Sequence, residues 1–288
     1  MKKIQLGINE RLVNKILINN EVANPHPYFS VILPKYFDLI AVSVKEEKQL
    51  IFDDIPLSGS TKKDKKTQTQ QSQNGSPDIS NFCGYLINDD LDETSAASSS
   101  PTAIQFMRNY PLIPVEDAKR LLGNSQIRDN FFERVFVISR WHEMIKAGVT
   151  ARQLLKFHAQ HKLIIMSHID YRDLGQLLTK LNKENIQTIA EQYITQLMVS
   201  LLGVVNRANH VNVLQHIQGH LKKELSSDHK NELSELVELY RKGVVPLSAV
   251  LTLLKHHFRN YPDDYIQEAH YMNPCPYELS LVNVKTTG

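Results

Sequence analysis

The chain has 288 residues, 42% hydrophobic and 22% charged, the balance of a globular protein with length for one large or two ordinary domains. Its formal net charge of +2 is too small to signal nucleic-acid binding by itself, and its two cysteines, Cys83 and Cys275, exclude a disulfide framework. No apolar run of about 18 residues and no signal-peptide pattern is read, so no membrane partner is expected and a reducing cytoplasm is the expected location.

The opening MKKIQLGINE alternates apolar residues at Ile4, Leu6 and Ile8, the period of a strand. A helical or turn segment over residues 28–33 leads to a second strand over 36–44, rich in β-branched types, and a third is expected over 82–87. Residues 57–80 are dominated by Ser, Thr, Lys, Gln and Gly, with too little apolar surface to bury. They read as a flexible insertion whose Lys62, Lys63, Lys65 and Lys66 form a solvated charge run. Residues 88–101, acidic and then serine-rich, read as a second insertion.

From Pro111 the pattern becomes helical. Residues 128–146 carry Phe131, Phe132, Val135, Phe136, Ile138, Trp141 and Ile145, with Gly148 as a stop and Thr150 as the N-cap of the next helix. Further helices are expected after Asp170, over 184–202 and over 206–225, then from Ser227 as a cap through Lys242, then over 246–258 beyond the breaks at Gly243 and Pro246, with a short segment after Pro262. The fold class is therefore α+β overall: a small α/β module over residues 1–110, then an all-α domain of about seven helices over 111–288.

The stretch FHAQHKLIIMSH, residues 157–168, is the centre of that domain. At about 100° per residue, His158, His161, Ile165 and His168 fall in one stripe with Lys162 at its edge, and apolar residues cover most of the remaining circumference. A helix apolar nearly all round is buried. Three imidazoles and an ammonium on one side then suggest a basic cleft; alternatively, each histidine is satisfied singly at a helix contact. In the helix from Asn206, Asn212, His216, Gly219 and Lys223 share the polar side, and a mid-helix glycine marks close approach of a ligand or of another helix.

The spacings His158/His161 and His216/His220 suit paired ligands. No HExxH or CxxC accompanies them, so no metal is expected. Cys275, between Pro274 and Pro276, is not expected to act as a nucleophile. From residue 101 onward, 22 Lys and Arg stand against 18 Asp and Glu, with 11 of the 12 histidines. Cations interleaved with Trp141, Tyr171, Tyr240 and Tyr261 supply what phosphates and unstacked bases need.

Five stretches, FHAQHKLIIMSH, YRDLG at 171–175, NVLQHIQGHLKKELS at 212–226, YRKGVVPLSAVLTLLKHH at 240–257 and YMNPCPYEL at 271–279, closely resemble the YbgA-like domain family over roughly residues 128–281. That domain often follows a TudS-type thiouracil desulfidase module. In such fusions the resemblance implies removal of sulfur from thiolated uridine in tRNA, with the helical domain holding the tRNA. The first half resembles a decayed copy of that module. GINERLVN at 7–14 places Arg11 where the family's first cluster cysteine stands, Val42, Ser43 and Val44 replace its Val-Cys-Pro, and NDDLDETSA replaces its Ser-Pro-Ser-Cys-Gly loop. Cys83 matches no ligand position. PLIPVEDAKRLLGNSQIRDNFFERVF at 111–136, the junction of the fusions, is retained.

Guanidinium and hydroxyl do not replace thiolate on iron. The expectation is thus a cytoplasmic protein that binds tRNA or other structured RNA, with no cofactor, no iron-sulfur cluster and no desulfidase activity. RNA contacts are expected from His158, His161, Lys162, His168, Arg172, Asn212, His216, Lys222, Lys223 and Lys255. Two alternatives stand beside it: an adaptor whose basic cleft holds an acidic protein partner, and an enzyme using His158, His161 and Lys162 as acid, base and anion clamp.

Overall fold

A computed structural model describes residues 3–13, 27–52, 78–88, 101–168, 172–203 and 205–280. The insertions read at 57–80 and 88–101 lie almost wholly outside the described residues, as do Asp170 and Tyr171. The chain divides into two compact units, one ending at Asn124 and the other spanning Ser125–Leu281.

The first unit is built on β1 (Ile4–Asn9), β2 (Phe37–Val42), β3 (Gly84–Ile87) and β4 (Val115–Asp117). All three pairings are parallel, in the order β2-β1-β3-β4. Central strands of a parallel sheet are covered on both faces, so β1 and β3 are apolar with few exposed positions. Gly7 has no alternative, because a Cβ there would collide with the rings of Tyr85 and Phe82. Between the strands lie α1 (Glu10–Val13), a π-helical turn (Tyr28–Ile32) running into α2 (Leu33–Tyr36), α3 (Val44–Phe52) and α4 (Pro101–Asn109). The core gathers Val42, Phe82, Tyr85, Ile87, Phe106 and Val115, with the Tyr85 and Phe106 rings stacked at 4.7 Å.

The three strands read from the sequence are present, and β4 is an addition within a stretch read as helical. The unit boundary accordingly lies at Asn124 rather than after residue 110. Pro114 O accepts from Tyr85 N at 2.8 Å, which adds the edge strand. Asp117 then accepts from the amides of Lys119 and Arg120 and opens α5 (Ala118–Gly123).

The second unit is helical throughout its described residues: α6 (Ser125–Lys146), α7 (Ala151–His168), α8 (Arg172–Thr179), α9 (Ile186–Ser200), α10 (Arg207–His220), α11 (Ser227–Arg241), α12 (Leu247–Asn260), α13 (Asp264–Glu268) and α14 (Tyr277–Ser280). Gly148, at φ +86°, ends α6 in the left-handed region that side chains avoid. Thr150 Oγ1 then accepts from Gln153 N to start α7. The cap of α11 is Ser226, whose hydroxyl accepts from His229 N, one residue earlier than Ser227. Trp141 packs edge-on to Phe157 at 5.3 Å and against Tyr193 at 6.2 Å, joining α6, α7 and α9. With α10 and the 3-10 turn His270–Met272 also packed on it, α7 is the central helix.

Candidate nucleic-acid interface

The histidines of α7 divide between interior and surface. His161 is fully buried, its ring 4.0 Å from Phe157 and 4.6 Å from His270. Its Nδ1 lies 2.7 Å from Phe157 O. A carbonyl can only accept, so the proton is on Nδ1 and the bare Nε2, buried, has no hydrogen-bond partner among the described residues. Burial, then the charges expected on His270 and Arg140, hold His161 well below its ordinary pKa. It stays neutral and cannot clamp a phosphate, which removes it from the expected RNA set.

His168 is removed on different grounds. Its Nε2 lies 2.8 Å from Glu133 Oε1, with the imidazole side chain 1% exposed. It joins α7 to α6 inside the unit, and Asn209 donates to its carbonyl from α10. Lys255 is half-buried and its Nζ donates to Asn273 Oδ1 at 2.7 Å, with burial lowering its pKa. That contact ties α12 to the 270–276 segment.

His158 and Lys162, one turn apart on α7, reach the surface half-buried. His158 Nδ1 shares a hydrogen bond of 3.0 Å with the Tyr193 hydroxyl. Burial, then Lys162, lowers its pKa. Opposite runs α10, whose start is fixed by Asn206 Oδ1 accepting from Asn209 N. Val211, Val213, Leu214 and Ile217 turn inward, leaving Asn212, His216, Gly219 and His220 outside. A Cβ on Gly219 would meet nothing within 4 Å. Of the two expected close approaches, that of another helix is not made, and the glycine leaves open space beside His216 and His220.

Lys162 of α7 and His216 of α10 lie near enough for their like charges to oppose each other. Partial burial, then His220 and Lys162, lowers the pKa of His216. Its ring lies 5.4 Å from that of His220. His220 Nδ1 is 2.9 Å from Asp263 Oδ2 and its ring stacks on Tyr265 at 5.5 Å and 22°. The surface therefore combines a cation and two imidazoles, one of them backed by the half-buried Tyr265 ring. His220, Asp263 and Tyr265 were absent from the expected set; the i, i+4 spacing of His216 and His220 was the available signal. Lys222 and Lys223 are exposed just beyond the end of α10, outside the helix expected to carry them. Arg172 is exposed at the start of α8.

A second polar group lies within the unit. Arg140 Nη2 donates to Pro274 O at 2.7 Å, and burial lowers its pKa to about 10. Burial pushes the Cys275 thiol up to about 12, which makes it a poor nucleophile. His210 Nδ1 pairs with the Tyr271 hydroxyl at 2.8 Å. Among the described residues no group of three His, Cys, Asp or Glu side chains is placed to hold a metal, and no helix is long and apolar enough to cross a membrane.

Residues 162–276, which include Lys162, His216, His220 and Asp263, match the family described as Protein of unknown function (DUF1722). The chain is similar to the uncharacterized protein YbgA of Escherichia coli (strain K12), 30% identical over 163 residues, which are 56% of this chain and 95% of that relative. No solved structure matches the chain. The similarity spans nearly the whole of that relative, and the chain belongs to the YbgA-like family.

Proposed function

We propose that this protein binds RNA, either tRNA or another structured RNA, through the surface shared by α7 and α10, and that it is not a desulfidase. The observation that carries the reading is the placement of Lys162 beside His216, with His220 and the Tyr265 ring continuing the surface. An ammonium neutralises phosphate, and imidazole N–H groups donate to phosphate oxygens and 2′-hydroxyls. The open space over Gly219 lets a backbone approach α10 closely. Because His216 titrates below its ordinary value of 6.5, its contribution as a cation develops only in acid.

The first unit's residues do not fit an iron-sulfur cluster. Arg11 lines the cavity at the ends of β1 and β3, where its guanidinium is a cation rather than a thiolate donor. Ser43 is committed to the start of α3: its hydroxyl accepts from Glu46 N while Glu46 Oε2 accepts from Ser43 N, a reciprocal cap. Soft iron centres need thiolate, so anaerobic reconstitution is expected to give no cluster absorption and no sulfur release from thiolated tRNA. The RNA reading itself is tested on purified protein. Nucleic-acid absorbance that copurifies through moderate salt and vanishes with ribonuclease supports it. Protein free of RNA that instead captures acidic protein partners favours the adaptor.

A further inference from the structure

Arg140, on α6, carries a guanidinium into the second unit with no carboxylate on it among the described residues. Its Nη2 donates to Pro274 O at 2.7 Å, and its Cζ lies 5.7 Å from the centre of the Phe136 ring. Nη1 is buried and has no hydrogen-bond partner among the described residues. The acidic side chains whose charge reaches this region are engaged elsewhere or exposed. Glu133 is 2.8 Å from His168, Glu268 is held by Lys156 at 3.4 Å and Gln160 at 3.5 Å, and Glu143 faces solvent. A buried charge is ordinarily paired, and a buried donor without a partner is costly.

The segment that holds Arg140 also joins it to His161. Pro274 closely follows the turn His270–Met272, and the His270 ring lies 4.6 Å from that of His161. Burial and the Arg140 charge both lower the pKa of each imidazole, so His161 stays neutral and its bare Nε2 is an acceptor that lacks a donor. The two unpartnered atoms are complementary, since Arg140 Nη1 offers a hydrogen and His161 Nε2 a lone pair. A ligand with one anionic oxygen and one hydroxyl satisfies both. With Nη2 committed to Pro274 O, a single positive charge remains to be balanced. One carboxylate does so, whereas a phosphate group brings about −1.5 to −2 near neutral pH. The Phe157 ring at 4.0 Å and the His270 ring pack against the fully buried His161, so the ligand must be small.

We propose that Arg140, His161 and His270 form a site for a small hydroxycarboxylate, whose carboxylate accepts from Arg140 Nη1 and whose hydroxyl donates to His161 Nε2, with His270 on the solvent side. The inference goes beyond the RNA reading and uses none of the residues that carry it. The test titrates the full chain with glycolate and, in parallel, with acetate, which lacks the hydroxyl, glycolamide, which lacks the charge, and inorganic phosphate, following heat of binding and melting temperature. Glycolate should bind saturably and raise the melting temperature, and each of the other three should bind at least about tenfold more weakly, because a site built around a hydroxyl and a charge rejects analogues without them. That comparison needs no variant. Arg140→Gln, which can still donate to Pro274 O, and His161→Phe, which keeps a ring against Phe157, should each weaken glycolate binding by about tenfold or more. Absence of saturable glycolate binding would leave the two atoms to a water molecule and overturn the proposal. Equal or tighter binding of acetate, glycolamide or phosphate, or undiminished glycolate binding by both variants, would overturn it as well.

Discussion

The Asp263 carboxylate holds two elements at once. Its Oδ1 accepts from Ile266 N at 3.0 Å and caps α13, while Oδ2 lies 2.9 Å from His220 Nδ1 at the end of α10. Burial opposes its ionisation, but the Ile266 amide and His220 outweigh it and lower its pKa. The two roles separate by substitution. Asp263→Asn keeps a good cap and should change stability by less than about 0.5 kcal/mol, whereas Asp263→Ala should cost about 1 kcal/mol. Both remove a negative charge beside the RNA surface and should strengthen RNA binding. Denaturant midpoints and RNA titrations of the two variants check this, and weaker binding by Asp263→Asn would count against the surface.

Stability should fall as the solution is acidified below pH 6.5. Burial holds His161 well below its ordinary value and lowers His210 to about 4. The unfolded chain therefore takes up protons on these rings before the folded one does, so each contribution is complete above 6.5 and is lost as pH falls toward the folded value. Each ring can contribute a slope of at most about 1.4 kcal/mol per pH unit in that window. His161→Phe retains a ring against Phe157 and abolishes the buried Nε2. Its stability curve between pH 6.5 and 4.5 should be shallower than that of the wild type; identical slopes would show that His161 is not held neutral.

Gly219 gives a prediction of opposite sign to the usual glycine argument. A side chain there enters open space, and alanine is the better helix former, so Gly219→Ala should raise stability by about 0.5 to 1 kcal/mol. Urea unfolding decides it. A loss of stability would mean that the helix end needs glycine's backbone freedom.

Much of the architecture was legible because period and punctuation carry it. Ile4, Leu6 and Ile8 mark β1, and Gly148 and Thr150 bracket the turn into α7, as their local chemistry requires. The strand Val115–Asp117 was not legible, since three residues carry no period and its pairing partner is distant in sequence. The site was legible in part. Residues four apart on a helix share a face and adjacent residues do not, so His158 travels with Lys162 while His161 turns inward. Which side of the stripe faced inward depended on the Phe157 and His270 rings packed against His161. The pairing of His168 with Glu133 joins positions 35 apart, and that of His210 with Tyr271 positions 61 apart. Neither spacing signals a contact.

The most direct measurement is the salt dependence of tRNA affinity for the wild type and Lys162→Gln, with their melting curves. If the α7/α10 surface holds phosphate, the variant binds more weakly, its slope of log affinity against log salt falls by about one, and its melting temperature is unchanged. Equal affinity and equal slope in two equally stable proteins would contradict the RNA-binding account.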